Sequence, residues 1–135
     1  MKRRHFIFYT VISTAAVSIP FLGCSSPDPE LDKKLAIPET LAQTYDEKTI
    51  REIGEAYGKT YPAEYSINDL EKLLIKTENG KSITGSETSE EIRSTLNAEV
   101  KNDFQTGDTL VLNGWILSKT EARQCALFTL INTKK

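Results

Sequence analysis

Apolar and polar positions alternate along this chain with a period that changes from segment to segment. Phe6 to Gly23 form a continuous apolar run, softened by Thr10, Ser13, Thr14 and Ser18. Next comes Ser25-Ser26-Pro27-Asp28-Pro29-Glu30, which has too little apolar content to pack and reads as part of a flexible tether over residues 24–37. Ile50, Ile53, Tyr57 and Tyr61 then recur at helical spacing. They predict a first helix that starts near Pro38 or at an Asp46 cap and ends before Pro62. Gly54 and Gly58 lie within it and mark a close approach to a neighbour. An aromatic turn, Thr60 to Tyr65, precedes a second helix capped by Ser66, with Leu70, Leu73 and Leu74 as its buried stripe to about Thr77.

Glu78 to Ser86, with Gly80 and Gly85, reads as a loop. Thr88 and Glu91 form a capping-box signal for a third helix. Its apolar face is expected at intervals of four: Ile92, Leu96, Val100 and Phe104. Gly107 is placed to end it in the left-handed conformation. From Thr109 to Leu117 the content turns β-branched and aromatic. Asn113-Gly114 between two apolar runs is a hairpin signal; the alternative is one bent strand turning Trp115 inward. Ser118 and Glu121 give another capping box. The helix they open is apolar nearly all round from Cys125 to Ile131, as a central, buried helix would be. The predicted fold is mostly α: about four helices, with one small β-hairpin or extended element before the last. It occupies residues 38–135 as one small helical domain.

Charge divides the 135 residues unevenly. The whole chain carries a net charge of −2, but Lys2, Arg3, Arg4 and the only histidine, His5, all precede the first apolar run. The chain after residue 23 has 14 basic and 19 acidic residues, a net charge of −5. No basic field argues for nucleic acid. A basic head, an apolar run and a small residue, in that order, make residues 1–23 a signal peptide. Pro20 and the hydroxyl residues favour a cleaved signal over a permanent membrane span.

Two motifs refine that address. Arg3, Arg4, Phe6 and Ile7 resemble the twin-arginine export signal, with Lys2 where Ser or Thr is usual. Phe21-Leu22-Gly23-Cys24 resembles a bacterial lipoprotein box, which implies cleavage before Cys24 and lipidation of its thiol. A multiply acylated cysteine anchors stably where a single chain does not. Together these resemblances imply a periplasmic location in the cell envelope, with the protein lipid-anchored to the membrane through Cys24.

Little conventional chemistry is left after the signal. Without a histidine there is no Ser-His-Asp or Cys-His machinery and no histidine-based zinc site. One thiol beyond Cys24 leaves no Cys-x-x-Cys pair. No glycine-rich phosphate loop and no haem-attachment motif occurs. No cofactor, metal or catalytic residue is therefore assigned, and the protein is read as a non-catalytic accessory subunit rather than an enzyme. Cys125 is expected to be a core residue. Glu90, Glu91, Glu99 and Asp103 are expected on solvated helix faces, the competing reading being a glycosidase-type carboxylate pair. Trp115 and Arg123 are either core residues, with Arg123 paired to an acid, or a candidate partner interface, since Trp and Arg concentrate binding energy. Tyr57, Tyr61 and Tyr65 form a second aromatic group.

Twin-arginine export carries folded proteins, often loaded with cofactor. This chain is similar in signal, size and helical composition to the small exported subunits of gluconate and related flavin-dependent sugar dehydrogenases. The resemblance implies an exported, lipid-anchored accessory subunit that escorts or anchors a larger flavin- or haem-containing dehydrogenase subunit. The alternative is a self-contained envelope lipoprotein acting as a binding or structural module.

Overall fold

A computed structural model describes residues 29–78 and 82–133. The signal motif and Cys24 lie outside these residues. The described residues form six α-helices and one two-stranded antiparallel hairpin. They are α1 (Pro29–Leu35), α2 (Glu39–Thr44), α3 (Glu47–Thr60), α4 (Ile67–Ile75), α5 (Ser89–Thr106), β1 (Thr109–Leu112), β2 (Trp115–Ser118) and α6 (Lys119–Thr133), with a 3-10 turn at Pro62–Glu64. Among them no helix is long and apolar enough to cross a membrane.

The helix starts follow local chemistry. Asp46 accepts the Thr49 N–H at 3.0 Å, Ser66 the Asp69 N–H at 3.2 Å and Thr88 the Glu91 N–H at 3.1 Å. Each satisfies one of the donors that a helix start leaves unpaired. Gly107 ends α5 at φ 79°. The hairpin is as the Asn-Gly pair predicts. Asn113 and Gly114 sit at φ 52° and 85°, as a two-residue turn matching the strand twist needs. Val111 pairs with Ile116 and Leu112 with Trp115.

α6 is the central helix. It packs most extensively on α3 and also on α1, α4, α5 and both strands. Ala122, Cys125, Ala126 and Leu127 are fully buried on it. Gly54 of α3 lies against α6 so closely that a Cβ would stand 2.5 Å from the Cys125 carbonyl oxygen. Gly58 lies against the Tyr65 ring, where a Cβ would come within 2.6 Å. Both glycines therefore mark the helix packing read from the sequence.

Two sequence expectations need correction. The flexible tether of residues 24–37 does not extend through its second half. Pro29–Leu35 is helical, and Leu31, Leu35, Ala36 and Pro38 are buried. Gln124, buried on α6, donates to the carbonyls of Leu35 and Ile37, both at 2.9 Å, and so holds the end of α1. The second correction concerns α5. Ile92 and Leu96 are buried as expected, but Glu99 and Asp103 continue the buried face, while Phe104 is 49% exposed. A helix turns about 100° per residue, so steps of four drift about 40° each. Phe104 ends about 120° from Ile92, whereas Glu99 and Asp103 lie within about 20° of it.

Cys125 follows its expectation. Its thiol is fully buried, and burial followed by the Glu121 charge pushes its pKa far up. The native protein is therefore expected to leave Cys125 unmodified by a thiol reagent that labels it at once in denaturant. Mass spectrometry after each treatment checks this. Stoichiometric native labelling would contradict the packing of α6.

Candidate functional site

The junction of α5, the hairpin and α6 gathers most of the polar side chains that are buried. Ser118 and Glu121 form the capping box in full: the Glu121 N–H donates to Ser118 Oγ at 2.9 Å, and the Ser118 N–H donates to Glu121 Oε1 at 3.2 Å. Asp103 reaches from α5 to accept the Thr120 N–H at 2.9 Å, a second cap on the same helix start. Lys119 closes the outer side through a 2.9 Å ion pair with Asp108. Glu99, one turn before Asp103, accepts the Glu78 N–H at 2.9 Å. Its other oxygen is buried without a hydrogen-bond partner, and Glu99 helps to line a cleft of about 30 Å³, room enough for water. Glu99 and Asp103 thus serve backbone donors, correcting the expectation of solvated faces; Glu90 and Glu91 are exposed as expected.

Burial raises the Glu121 pKa, the Ser118 N–H opposes the shift, and the nearby Asp103 charge adds to it. A carboxyl raised on folding contributes stability below its ordinary value of 4.5 that is lost as pH climbs through the raised value. Glu121→Gln keeps an acceptor for Ser118 and removes the charge. Its unfolding midpoint in urea is expected to gain on the native protein as pH climbs from about 4.5 through the raised value, and to keep that gain above it. A constant difference across that range would refute the buried charge.

Arg123 and Trp115, the two candidate interface residues, do not share a partner. Arg123 has only 18% of its side chain exposed and pairs with Glu64 at 3.6 Å. Its Nε donates to Tyr57 Oη at 3.3 Å, and Tyr57 donates in turn to Glu64. Burial, then the bond to Glu64, pushes the Tyr57 phenol pKa up. This network joins α6, α3 and the 3-10 turn, so Arg123 is paired to an acid inside the fold, as one of the two sequence readings held. Tyr61 stacks on Tyr57 with ring centres 4.9 Å apart.

Trp115 is half-buried and meets Tyr45 edge-on, with ring centres 4.7 Å apart. Trp115 shares the inner face of the hairpin with its cross-strand partner Leu112; successive strand residues point to opposite faces, so the outer face belongs to other side chains. Val111 and Ile116 are directly opposite across the hairpin and are 64% and 69% exposed. These are the most exposed large apolar side chains among the described residues. Sequence reading singled out Trp115 and missed this pair, although the period-2 alternation beside Asn113-Gly114 carried the signal.

On another side, α1 and the start of α5 enclose an open groove of about 570 Å³. Ile37 and Leu96 supply its apolar lining, Lys33, Lys34 and Arg93 its cations, and Glu30 and Glu90 its anions. Arg93 pairs with Glu90 and, at 3.3 Å, with Glu39. Among the described residues no group of His, Cys, Asp or Glu is arranged to hold a metal ion.

No protein-family model, curated protein or solved structure matches the chain.

Proposed function

We infer that the protein is an exported, lipid-anchored accessory subunit that works by contact, escorting or anchoring a larger redox enzyme in the cell envelope. The observation that carries the contact role is the exposed Val111–Ile116 pair on the outer face of the hairpin. An apolar cross-strand pair left in water has unfavourable hydration that a partner's surface would remove, at roughly 25 cal/mol per Å² covered. The buried polar groups of α5 and α6 are turned inward, chiefly to backbone donors, whereas the outer face of the hairpin is open to a partner. The export and redox parts of the reading are supported by Arg3, Arg4, Phe6, Ile7 and Cys24 and by the resemblance those residues carry.

Capture of the mature protein from native membranes is expected to bring down a stoichiometric flavin- or haem-containing subunit. Val111→Asp with Ile116→Asp is expected to abolish the capture while leaving the helical circular-dichroism signal and unfolding midpoint intact. Capture without any such subunit would favour the self-contained envelope module. Capture undiminished by the double variant would take the hairpin out of the interface.

A further inference from the structure

The groove between α1 and α5 has an orientation set by chain length, and this inference rests on the lipid-anchor reading above. Five residues lead from Cys24 to Pro29, where α1 begins. At about 3.5 Å per extended residue they reach about 17 Å. A domain of about 100 residues has a radius of gyration of about 13 Å, hence a breadth of about 30 Å. A tether shorter than that breadth cannot turn the far side of the domain to the bilayer. The α1 side is therefore held against the membrane.

That side carries the right chemistry. Lys33 and Lys34 occupy the last turn of α1, and Ile37 follows at 53% exposure. No ion pair among the described residues holds either lysine, whereas Arg93 across the groove is committed to Glu90 and Glu39. The chain after the signal has a net charge of −5, so an anionic bilayer repels most of its surface. At the end of α1 the lysine pair balances Glu30 and the buried Asp32 of its first turn, and the short tether lets the pair come within one Debye length, about 10 Å, of the headgroups. We propose that Lys33, Lys34 and Ile37 form a membrane-facing patch that takes anionic phospholipid headgroups, the lysines meeting phosphate and Ile37 entering the interfacial layer. Clusters of lysine beside an anchor gain affinity for anionic lipid in this way, and a weak patch suffices when the anchor supplies the local concentration.

The test supplies the anchor chemically, so its outcome is separate from native lipidation, which mass spectrometry of the mature N-terminus decides. The mature chain is coupled through Cys24 to a maleimide lipid, the buried Cys125 thiol staying unreacted. It is anchored on vesicles of phosphatidylcholine or of phosphatidylcholine rich in phosphatidylglycerol. Lysine acetylation by a water-soluble reagent is then followed by peptide mass spectrometry. Lys33 and Lys34 are expected to react about fivefold more slowly on the phosphatidylglycerol vesicles. Lys59 and Lys101, exposed on α3 and α5, are expected to react equally on both. Equal rates at Lys33 and Lys34 on the two vesicles overturn the proposal. So does equal slowing of all four lysines, which would report a general surface effect rather than a seated patch.

Discussion

Gly54→Ala is expected to destabilise the domain by about 2–3 kcal/mol, against the usual effect of this substitution in a helix. Alanine is favoured over glycine by about 1 kcal/mol at an open helical position. At Gly54 the added methyl would stand 2.1 Å from Thr129 Oγ1 and 2.5 Å from the Cys125 carbonyl oxygen. The threonine can rotate, at the cost of its 2.8 Å bond to that same carbonyl. The carbonyl belongs to the backbone of α6 and moves only with the helix. Separating α3 from α6 loosens the most extensive helix contact in the fold. For a domain of this size each kcal/mol shifts Tm by about 4–8 °C, so a fall of about 10–20 °C is expected. Gly58→Ala is the companion measurement. There the obstacle is the half-buried Tyr65 ring, a side chain rather than the backbone of another helix, and the loss is expected to be smaller. Thermal unfolding of both variants checks the order. A Gly54→Ala protein as stable as the native one would mean that α3 and α6 do not approach as described.

Gly54 was legible in the sequence because glycine within an apolar helical stripe has few other uses. The same holds for local signals generally. Asp46, Ser66, Thr88, Ser118 and Asn113-Gly114 each act on backbone groups within a few residues, so their effect is written beside them. The mostly helical architecture and the hairpin before the last helix follow from those signals. What the sequence hid depends on distant partners. Pro27, Pro29 and the flanking polar residues make α1 look like linker, because its helicity is secured by burial of Leu31 and Leu35 and by Gln124 from α6. Short helices depend on tertiary packing far more than on propensity.

The candidate surfaces divide in the same way. Trp115 was identified by residue type, yet Val111 and Ile116, paired on the other face of the hairpin, are the more exposed apolar side chains. The sequence leaves Arg123 open between an acid-paired core residue and an interface residue, and Tyr57 and Glu64, from other elements, hold it inside the fold. Glu99 and Asp103 read as solvated because carboxylates usually are. They are buried where the turn after α4 and the start of α6 each present a backbone donor needing an acceptor. No local pattern announces such a need.

Asp103→Ala is expected to cost about 2–4 kcal/mol, by leaving the Thr120 N–H buried without its acceptor. The methyl group cannot reach the donor, and the cleft of about 30 Å³ that Asp103 and Thr120 help to line leaves room for little water. The aspartate also carries a cost in the native protein, because its charge faces the buried Glu121 and helps to raise that carboxyl. Asp103→Asn separates the two roles. The amide keeps an oxygen for Thr120 and removes the charge, so this variant is expected to regain more than half of the alanine loss. With the charge gone, the Glu121 pKa is expected to fall back toward 4.5. The stability that Glu121 forfeits as pH rises through its raised value should shrink with it. Urea midpoints from acid to neutral pH, with the Glu121 carboxyl followed by NMR, measure both quantities on one set of proteins. Equal losses for the alanine and asparagine variants would mean that α6 needs the charge at its N-terminus, an interaction with the helix dipole rather than a hydrogen-bond cap. A larger loss for alanine, with a flatter pH profile for asparagine, would mean that the carboxylate is kept for its geometry and tolerated for its charge.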